Sequence, residues 1–424
     1  MLNIEKTVFA LCVFLYYHVH IKSARTSDGA IRQIFLNAAW VPVRDVLKND
    51  KKVHPKQKRN LSRRRETGLG IKGGKTYEEA VGKKWCMDTP IPENMKNIVV
   101  MDATNDIEKI TSQVDFVFCA VDMKKDEIKA LEEEYAKHEC PVVSNNSANR
   151  FTPDVPMVVP ELNAEHINII PAQRKRLGTK RGFIAVKSNC SLQSYVPALF
   201  PLQEKYPIKK VLVCTYQAIS GAGKTFETWP EMIDNVIPYI GGEEEKSEQE
   251  PLKVWGKIEG DKIVKAAAPA ITTQCLRVPV SNGHFAAVFV SFENKPSKEE
   301  ILNIWKEYKG APQELDLPSA PKQFLHYFEE DNMPQAKLHR NLEGGMAVSI
   351  GRLREDTQYD YKFVCLSHNT VRGAAGGAVL MAETLLLTVA VSAVVFTTAF
   401  GTWEGVNVVP LLLTTAAAAG LCAL

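Results

Sequence analysis

The sequence lacks paired cysteine spacings. It has nine cysteines, an odd number, and none of them form a CxxC motif. Disulfide frameworks and structural zinc sites usually show regular cysteine spacings, so both are disfavoured. Scattered thiols are typical of a reducing compartment. We therefore expect a cytoplasmic protein without a bound metal.

The sequence also lacks a strong excess of charge. Its formal net charge is +3 over 424 residues, of which 24% are charged and 45% hydrophobic. This composition is typical of a soluble globular protein, and the length corresponds to two or three domains. The basic stretch 48–65 contains no aromatic residue. We interpret it as a solvated linker and expect no nucleic-acid partner.

Apolar runs with the length and basic flanks of a membrane span are absent. Residues 7–21 form a run of 15, short of the roughly 20 that a spanning helix needs, and two histidines interrupt it. Residues 384–400 and 406–424 carry no charge and have the length of a membrane hairpin, but basic flanking residues are missing. Membrane contact through the two ends stays open as an alternative.

Between residues 70 and 187, short apolar runs alternate with a helical pattern. This predicts right-handed crossovers in a parallel, doubly wound sheet, whose ligands bind at the carboxyl ends of the strands. The loop 144–150, rich in Ser and Asn and ending in Arg150, follows such a strand. An anion site and a plain polar loop are both open interpretations. The strands are predicted at 97–101, 115–121 and 141–144, and the helix at 124–138.

The stretch 183–200 can hold a nucleophile. An apolar strand-like run is followed by Ser188 and Asn189, which are helix N-cap residues, and a helix is predicted from Ser191 onward. Cys190 would lie at the turn, where helix amides lower a thiol pKa from its usual value of about 8.5 and can face an oxyanion. A buried structural thiol is the alternative.

The second half is dominated by strand patterns. Pro279 and the Asn282–Gly283 turn signal separate Arg277 from His284, so the two side chains can serve one site. A helix of small residues, 369–387, is expected to pack closely on a sheet or a cofactor. The further strands are predicted at 210–217, 271–280, 284–292, 346–352 and 361–366, and the further helices at 243–250 and 298–308.

Residues 218–225, Ala-Ile-Ser-Gly-Ala-Gly-Lys-Thr, nearly match a phosphate-binding loop. Ala218 replaces the first glycine, and Trp229 with Pro230 would break the helix that the motif requires. A nucleotide triphosphatase is therefore a minor alternative. We interpret the segment as a loop that lets a cofactor approach the backbone.

Together these motifs resemble the aspartate-semialdehyde dehydrogenase family, from about residue 74 to 383. The 27-residue interval from Cys190 to Gln217 and the seven residues from Arg277 to His284 are similar to the family pattern. The resemblance implies reduction of L-aspartyl-4-phosphate by NADPH to L-aspartate 4-semialdehyde, in lysine, threonine and methionine synthesis. It also implies a homodimer or homotetramer. The motifs are residues 188–191, 215–223, 243–246, 277–284 and 369–375.

The resemblance implies a role for each matched residue. Cys190 would form an acyl-thioester, His284 would be the general acid/base, and Gln217 would orient the substrate. The substrate's carboxylate and amine would be held by Arg277 and Glu243. The substrate's phosphate would be held by Lys246, Arg150 and Asn149, and the NADP cofactor by Ser220, Gly221, Ala222, Gly223, Lys224 and Asn369.

The implied fold is α/β. An incomplete doubly wound Rossmann-type parallel sheet is joined to an α+β substrate and dimerisation domain with a mixed sheet. The expected divisions are an atypical N-terminal segment (1–66), a partial NADP-binding domain (67–187), the substrate and dimerisation domain (188–366), a helix returning to the cofactor domain (367–387) and an apolar tail (388–424).

The sequence departs from the family at its start. The family's glycine-rich turn, which places the cofactor pyrophosphate at a helix N-terminus, is absent before Gly68. Residues 1–66 would replace the first strand-helix-strand unit and leave the neighbouring strands uncovered. Leu192 also stands where a small polar residue is usual. Two alternatives therefore stay open: a catalytically defective relative that lacks cofactor capture, and a reductase of another acyl substrate such as malonyl-CoA.

Overall fold

The computed structural model describes residues 33–36, 74–81 and 90–386. Its first sheet has five parallel strands in the order β1-β2-β3-β5-β4. This arrangement confirms the predicted Rossmann-type sheet. The strands are β1 (Gln33–Leu36), β2 (Phe116–Cys119), β3 (Val142–Ser144), β4 (Met157–Val158) and β5 (Ile184–Lys187). The helices are α1 (Tyr77–Val81), α2 (Glu93–Lys96), α3 (Ile107–Thr111), α4 (Lys125–Lys137), α5 (Pro160–Asn163) and α6 (Ile170–Leu177), with a 3-10 helix at Ala164–Ile169.

Two details of this sheet differ from the sequence-based expectation. β1 comes from the atypical N-terminal segment and pairs in parallel with β2, so the neighbour of β2 on that side is present. The strand predicted at 97–101 is wrong, since Val99 forms only an isolated bridge with Thr76. Asn97 is the C-cap of α2, so the start of the predicted strand is the end of a helix.

Both faces of the parallel sheet are covered, as buried parallel strands require. Along β2, Phe116 and Phe118 face one apolar cluster, whereas Val117 and Cys119 face another. The first cluster includes residues of α12 (376–386), whose small side chains let it lie close to the sheet. The expected packing of this helix on a sheet is therefore confirmed. Each fully buried large apolar side chain contributes about 1.5–3 kcal/mol.

The second sheet is mixed, as predicted, with the order β11-β12-β13-β10-β6-β9. β10 is antiparallel to both of its neighbours, while β6 and β9 are parallel. The strands are β6 (Ile208–Gln217), β9 (Ala270–Arg277), β10 (His284–Phe292), β11 (Leu325–Phe328), β12 (Val348–Glu355) and β13 (Tyr361–Ser367), and a separate hairpin contains β7 (Lys257–Glu259) and β8 (Lys262–Val264). The helices are α7 (Leu192–Lys205), α8 (Glu243–Val254), α9 (Lys298–Glu307), α10 (Ala311–Glu314) and α11 (Ala336–His339).

The single helix predicted at 369–387 is interrupted at its start. A π-helical turn, Val371–Ala375, precedes α12, and Asn369 does not cap it, because its side chain bonds two loops instead. Within the described ranges, no helix is both long enough and apolar enough to cross a bilayer. The apolar segment 7–21 and nearly all of the C-terminal apolar runs lie outside those ranges.

Candidate active site

Cys190 lies in the turn between β5 and α7, as predicted. Its Sγ is 3.6 Å from Nε2 of His284, the first residue of β10, so two residues 94 positions apart meet. The Ala218 N–H donates to His284 Nδ1 at 3.1 Å. The proton of the neutral imidazole is therefore on Nε2, facing the sulfur. The pair has the geometry of a nucleophile beside an acid/base.

The predicted effect of the helix on the thiol is wrong. Burial, followed by the Glu243 carboxylate, raises the pKa of Cys190. The flanking amides are used elsewhere: the Asn189 N–H donates to Glu250 Oε2 at 2.7 Å, and the Ser191 N–H donates to Asn189 Oδ1 at 2.7 Å. They face neither the sulfur nor an oxyanion position.

His284 is fully buried, and its environment keeps the ring neutral. Burial, the Arg277 guanidinium and nearby His368 hold the pKa of His284 well below its usual value. A neutral ring with its proton on Nε2 can donate a hydrogen bond near neutral pH while it keeps the proton. The sulfur and the imidazole therefore meet without a preformed thiolate–imidazolium pair.

Glu243, the first residue of α8, is a hub of side-chain hydrogen bonds. It accepts from Asn189 Nδ2 at 3.1 Å, Lys246 Nζ at 2.7 Å and Gln217 Nε2 at 3.3 Å. The structure therefore brings Gln217 and Lys246 beside the turn that carries Cys190, residues 188–191, which we call the nucleophile turn. Glu243 and Glu250, seven residues apart, share the buried face of α8. By composition alone, α8 would be interpreted as a solvated helix. Its buried face lines the site.

Arg277 ends β9, and its buried guanidinium reaches the same site. Its Nη1 donates to the Ala218 carbonyl at 2.6 Å, so one residue holds both the arginine and His284. A Cβ at Gly221 would lie 2.8 Å from Arg277 Nη1 and 3.0 Å from His284. Glycine is required there for packing. The structure brings Arg277 and His284 together, and their service in one site stays a prediction.

The loop predicted to meet the cofactor borders this pair. Asn369 accepts from the Gly283 N–H at 2.8 Å and donates to Ser220 Oγ at 2.9 Å, which ties the loop to the strand ends. Gly223 has a φ of +66°. No α-helix follows the loop before α8, and only a 3-10 turn begins at Pro230, so a phosphate-loop triphosphatase is not favoured. The remaining loop residues are Ala222 and Lys224, whose Nζ lies 4.7 Å from the Trp229 ring centroid.

Two residues of the 144–150 loop, Arg150 and Asn149, were predicted to hold the substrate's phosphate. Both side chains are hydrogen bonded to other groups of the protein. Arg150 donates to Glu250 at 2.9 Å and to the Lys187 carbonyl at 2.9 Å. Asn149 donates to Glu132 at 2.7 Å and accepts from Thr152. Asn149 therefore orders the loop in this arrangement. Arg150 lies beside the nucleophile turn, and phosphate binding by it stays a prediction.

Three residues of the site were missed from the sequence. Glu250 holds the nucleophile turn, Lys187 is buried at the end of β5, and the His368 carbonyl accepts from the Gly373 N–H at 2.9 Å. Two of them carried a signal. Glu250 is seven residues after Glu243 on a helical face, and Lys187 is a charge inside an apolar strand pattern.

Comparison with known proteins decides the family. The semialdehyde dehydrogenase NAD binding domain matches residues 70–170, and the semialdehyde dehydrogenase dimerisation domain matches residues 199–372. The aspartate-semialdehyde dehydrogenase of Aspergillus fumigatus is 39% identical over 322 residues, which cover 74% of this chain and 87% of that protein. The Saccharomyces cerevisiae enzyme is 41% identical over 326 residues, which cover 74% and 87%.

The chain belongs to the aspartate-semialdehyde dehydrogenase family. The structure of the Candida albicans aspartate-semialdehyde dehydrogenase with NADP agrees with this: it is 36% identical, with a TM-score of 0.66, over 74% of this chain and 88% of its own. The family resemblance seen in the sequence motifs is therefore confirmed. Among the described residues of this family member, no cluster of three or more His, Cys, Asp or Glu side chains is arranged to hold a metal.

Proposed function

We propose that this protein reduces L-aspartyl-4-phosphate to L-aspartate 4-semialdehyde, with release of phosphate, through a thioester on Cys190. The observation that carries the proposal is the 3.6 Å approach of Cys190 Sγ to His284 Nε2 within a family match that spans most of the chain. Thioester formation divides one difficult step into two easier ones.

In the first step, the Cys190 sulfur attacks the acyl carbon, a C–S bond forms, and the bond from carbon to the phosphate oxygen breaks. The proton released from the Cys190 thiol goes to the departing phosphate, and the Nε2–H of neutral His284, next to the reacting atoms, hydrogen bonds to the departing oxygen. In the second step, the carbon gains a hydride and the sulfur leaves as thiolate, which yields the aldehyde.

NADPH, when bound, supplies that hydride. The loop 220–223 fits a nicotinamide because it carries only small side chains beside His284, and Gly221 leaves no side-chain atom between the loop and the catalytic pair. Asn369 fixes the loop through Ser220. The same residues, together with Gly223 and Lys224, would hold the cofactor.

The charges around the sulfur favour an amino-acid substrate over malonyl-CoA. The Arg277 guanidinium suits an α-carboxylate, and the Glu243 carboxylate suits an α-ammonium. Lys246 and Arg150 would receive the phosphate. Lys246 is bound to Glu243, and Arg150 is bound to Glu250, so phosphate binding would compete with these two ion pairs.

We infer that the protein acts as a homodimer, formed through the open edge of the mixed sheet. β9 is the terminal strand of that sheet. The segment beside it, bridged by Ile237 to Arg277, exposes Ile233 (61%), Val236 (50%) and Tyr239 (71%). A second copy would cover these apolar side chains. The free thiols among the described cysteines suit a reducing compartment such as the cytoplasm.

The test is a spectrophotometric assay with aspartate semialdehyde, phosphate and NADP, together with NADPH binding by the purified chain. We expect phosphate-dependent NADPH formation, and none by Cys190→Ala, which should still bind NADPH. If the protein oxidises NADPH with malonyl-CoA but shows no activity with aspartate semialdehyde, malonyl-CoA would replace L-aspartyl-4-phosphate as the assigned substrate. A folded chain with no detectable NADPH binding would support the defective relative instead.

A further inference from the structure

Lys187 is a buried lysine next to the nucleophile. It ends β5, three residues before Cys190, and only 2% of it is exposed. Its Nζ donates to the Gly373 carbonyl at 2.8 Å. Gly373 in turn lies against the nucleophile, because a Cβ placed on it would be 2.9 Å from Cys190 Cβ. A single residue therefore separates the amine from the reactive side chain.

The stem of Lys187 lies in a space made by another glycine. A Cβ at Gly377 would come within 2.5 Å of Lys187 Cε, so α12 leaves room for the lysine against β5. The amine is thereby directed toward the turn that carries Gly373. The position of Nζ beside the nucleophile is thus fixed by packing on both sides.

Three of the other cations close to this pair form ion pairs, and Arg277 donates to the Ala218 carbonyl. In these ion pairs, the cation lies within hydrogen-bond distance of its carboxylate. Lys187 makes no ion-pair contact with a carboxylate of the described residues. A buried ammonium with one carbonyl acceptor is costly unless an anion balances it. The paired groups are Arg150 with Glu250 at 2.9 Å, Arg372 with Glu161 at 2.8 Å and Lys246 with Glu243 at 2.7 Å.

The imidazole does not supply a cation for the sulfur. His284 Nδ1 accepts the Ala218 N–H, and the ring is buried beside the Arg277 guanidinium. Protonating Nδ1 would break that hydrogen bond and add a second positive charge. Arg277 stays protonated and cannot exchange a proton with the thiol, so the group that can both balance the thiolate and take up its proton is a lysine.

We propose that Lys187 is the counter-ion of the Cys190 thiolate and that the two groups share one proton. The pair exists either as thiol with neutral amine or as thiolate with ammonium. When the thiolate forms, the Sγ–H bond breaks and Nζ gains the proton. Lys187 is then a positioning residue that acts through Cys190. The proposal rests on the proposed function only in taking Cys190 as the nucleophile.

The electrostatics of both groups agree with this coupling. Burial lowers the pKa of Lys187 to about 7, and the nearby Cys190 acts in the opposite direction. Two coupled groups titrate as a pair, with pKa values that belong to both. The charged groups that face Lys187 are Cys190, Arg150, Arg372 and Glu250. Those that face Cys190 are Glu243, Lys187, Arg277, Arg150 and His284.

The first test measures the pH dependence of Cys190 alkylation by iodoacetamide, with Cys190→Ser giving the background from the other thiols. In Lys187→Met, we expect the rate at pH 7 to fall about tenfold or more, which corresponds to a rise of about one unit in the apparent pKa. Lys187→Arg, which keeps the charge, should retain the reaction at low pH. His284→Gln should stay within about threefold of the wild type. An unchanged profile in Lys187→Met, or loss of the low-pH reaction in His284→Gln, would overturn the proposal.

A second measurement needs no change at Lys187. Lysine ¹³Cε chemical shifts are titrated in the intact protein before and after alkylation of Cys190. The Lys187 signal should titrate at a lower pH once the thiolate is lost, whereas Lys253 is a matched control. That second buried lysine donates to three backbone carbonyls and should not respond. If alkylation of Cys190 does not change the apparent pKa of Lys187, the two groups are not coupled. This outcome does not depend on which substrate the enzyme uses.

Discussion

The nucleophile turn and the parallel sheet that leads into it are held in different ways. Around Cys190, side chains from β6 and from the turn itself donate to Glu243 of α8, and Arg277 and His284 both bond to the backbone of Ala218. The sheet is held by alternating apolar side chains, and its edge strand β1 comes from the atypical N-terminal segment. Changes at the turn should therefore affect chemistry first, and changes in the sheet should affect stability and cofactor affinity first.

The largest expected effect is that of Cys190→Ser. A serine hydroxyl beside a neutral imidazole is a poor nucleophile, so turnover should fall by roughly 10³-fold or more. NADPH affinity, measured by fluorescence titration, should stay within about twofold, because no predicted cofactor contact comes from this side chain. Substantial remaining turnover would break the assignment of chemistry to the turn.

Arg277→Ala should separate substrate capture from thiol reactivity. Loss of the guanidinium removes the proposed carboxylate partner, so kcat/KM should fall by about 10² to 10³-fold. Alkylation of Cys190 should change much less, within about threefold, because other cations remain near the sulfur. Gly221→Ala, which pushes against the same guanidinium, is the companion variant. A parallel loss of turnover and alkylation would show that Arg277 governs the thiol itself.

The meeting of Cys190 and His284 was predicted from the family resemblance, while local patterns predicted the turns that carry them. The strand-turn-helix around Cys190 follows from an apolar run and N-cap residues, and Pro279 indicated the break before His284. The parallel sheet followed from periodicity, and the mixed sheet from the resemblance. The division boundaries at 66, 187, 366 and 387 stay predictions.

What the sequence did not reveal depends on tertiary contacts. The direction of the thiol pKa was wrong because burial and the Glu243 carboxylate raise it, and the amides beside Cys190 are taken by Glu250 and Asn189. A local helix argument cannot include burial or carboxylates more than 50 residues away. The role of Lys187 depends on Gly373 and Gly377, almost 190 residues further along the chain. Burial of a charge is visible only once the sheets are packed.

Lys253→Met tests how the loop beside the site is held. Lys253 donates to the carbonyls of Arg150, Thr152 and Val155 at 2.7, 2.9 and 2.8 Å. Removing three donors leaves buried acceptors without partners, so the free energy of unfolding should fall by about 2 kcal/mol. Urea unfolding measures the loss, with exposed Lys262→Met as the control. A variant as stable as the control would mean that water satisfies these carbonyls.

Glu132→Gln should give the smallest effect, confined to the parallel-sheet side. Glu132 is buried and accepts from Ser144 and Asn149, and burial raises its pKa. The folded state therefore keeps this proton at pH values where the unfolded state, with a pKa of about 4.3, has lost it. The associated stability is fully present below that value and is lost as pH rises through the folded pKa.

Glutamine removes this titration, and the Ser144 hydroxyl can turn to accept from the new amide. The free energy of unfolding of the variant relative to wild type should rise by about 1 kcal/mol between pH 5 and pH 8. Exposed Glu108→Gln should show no such change, and turnover should be retained in both. A difference that stays constant with pH would mean that Glu132 is ionised in the fold. The hydrogen bonds from its two donors would then stabilise the carboxylate by more than burial destabilises it. The 144–150 loop would be held by a charged group, as the nucleophile turn is.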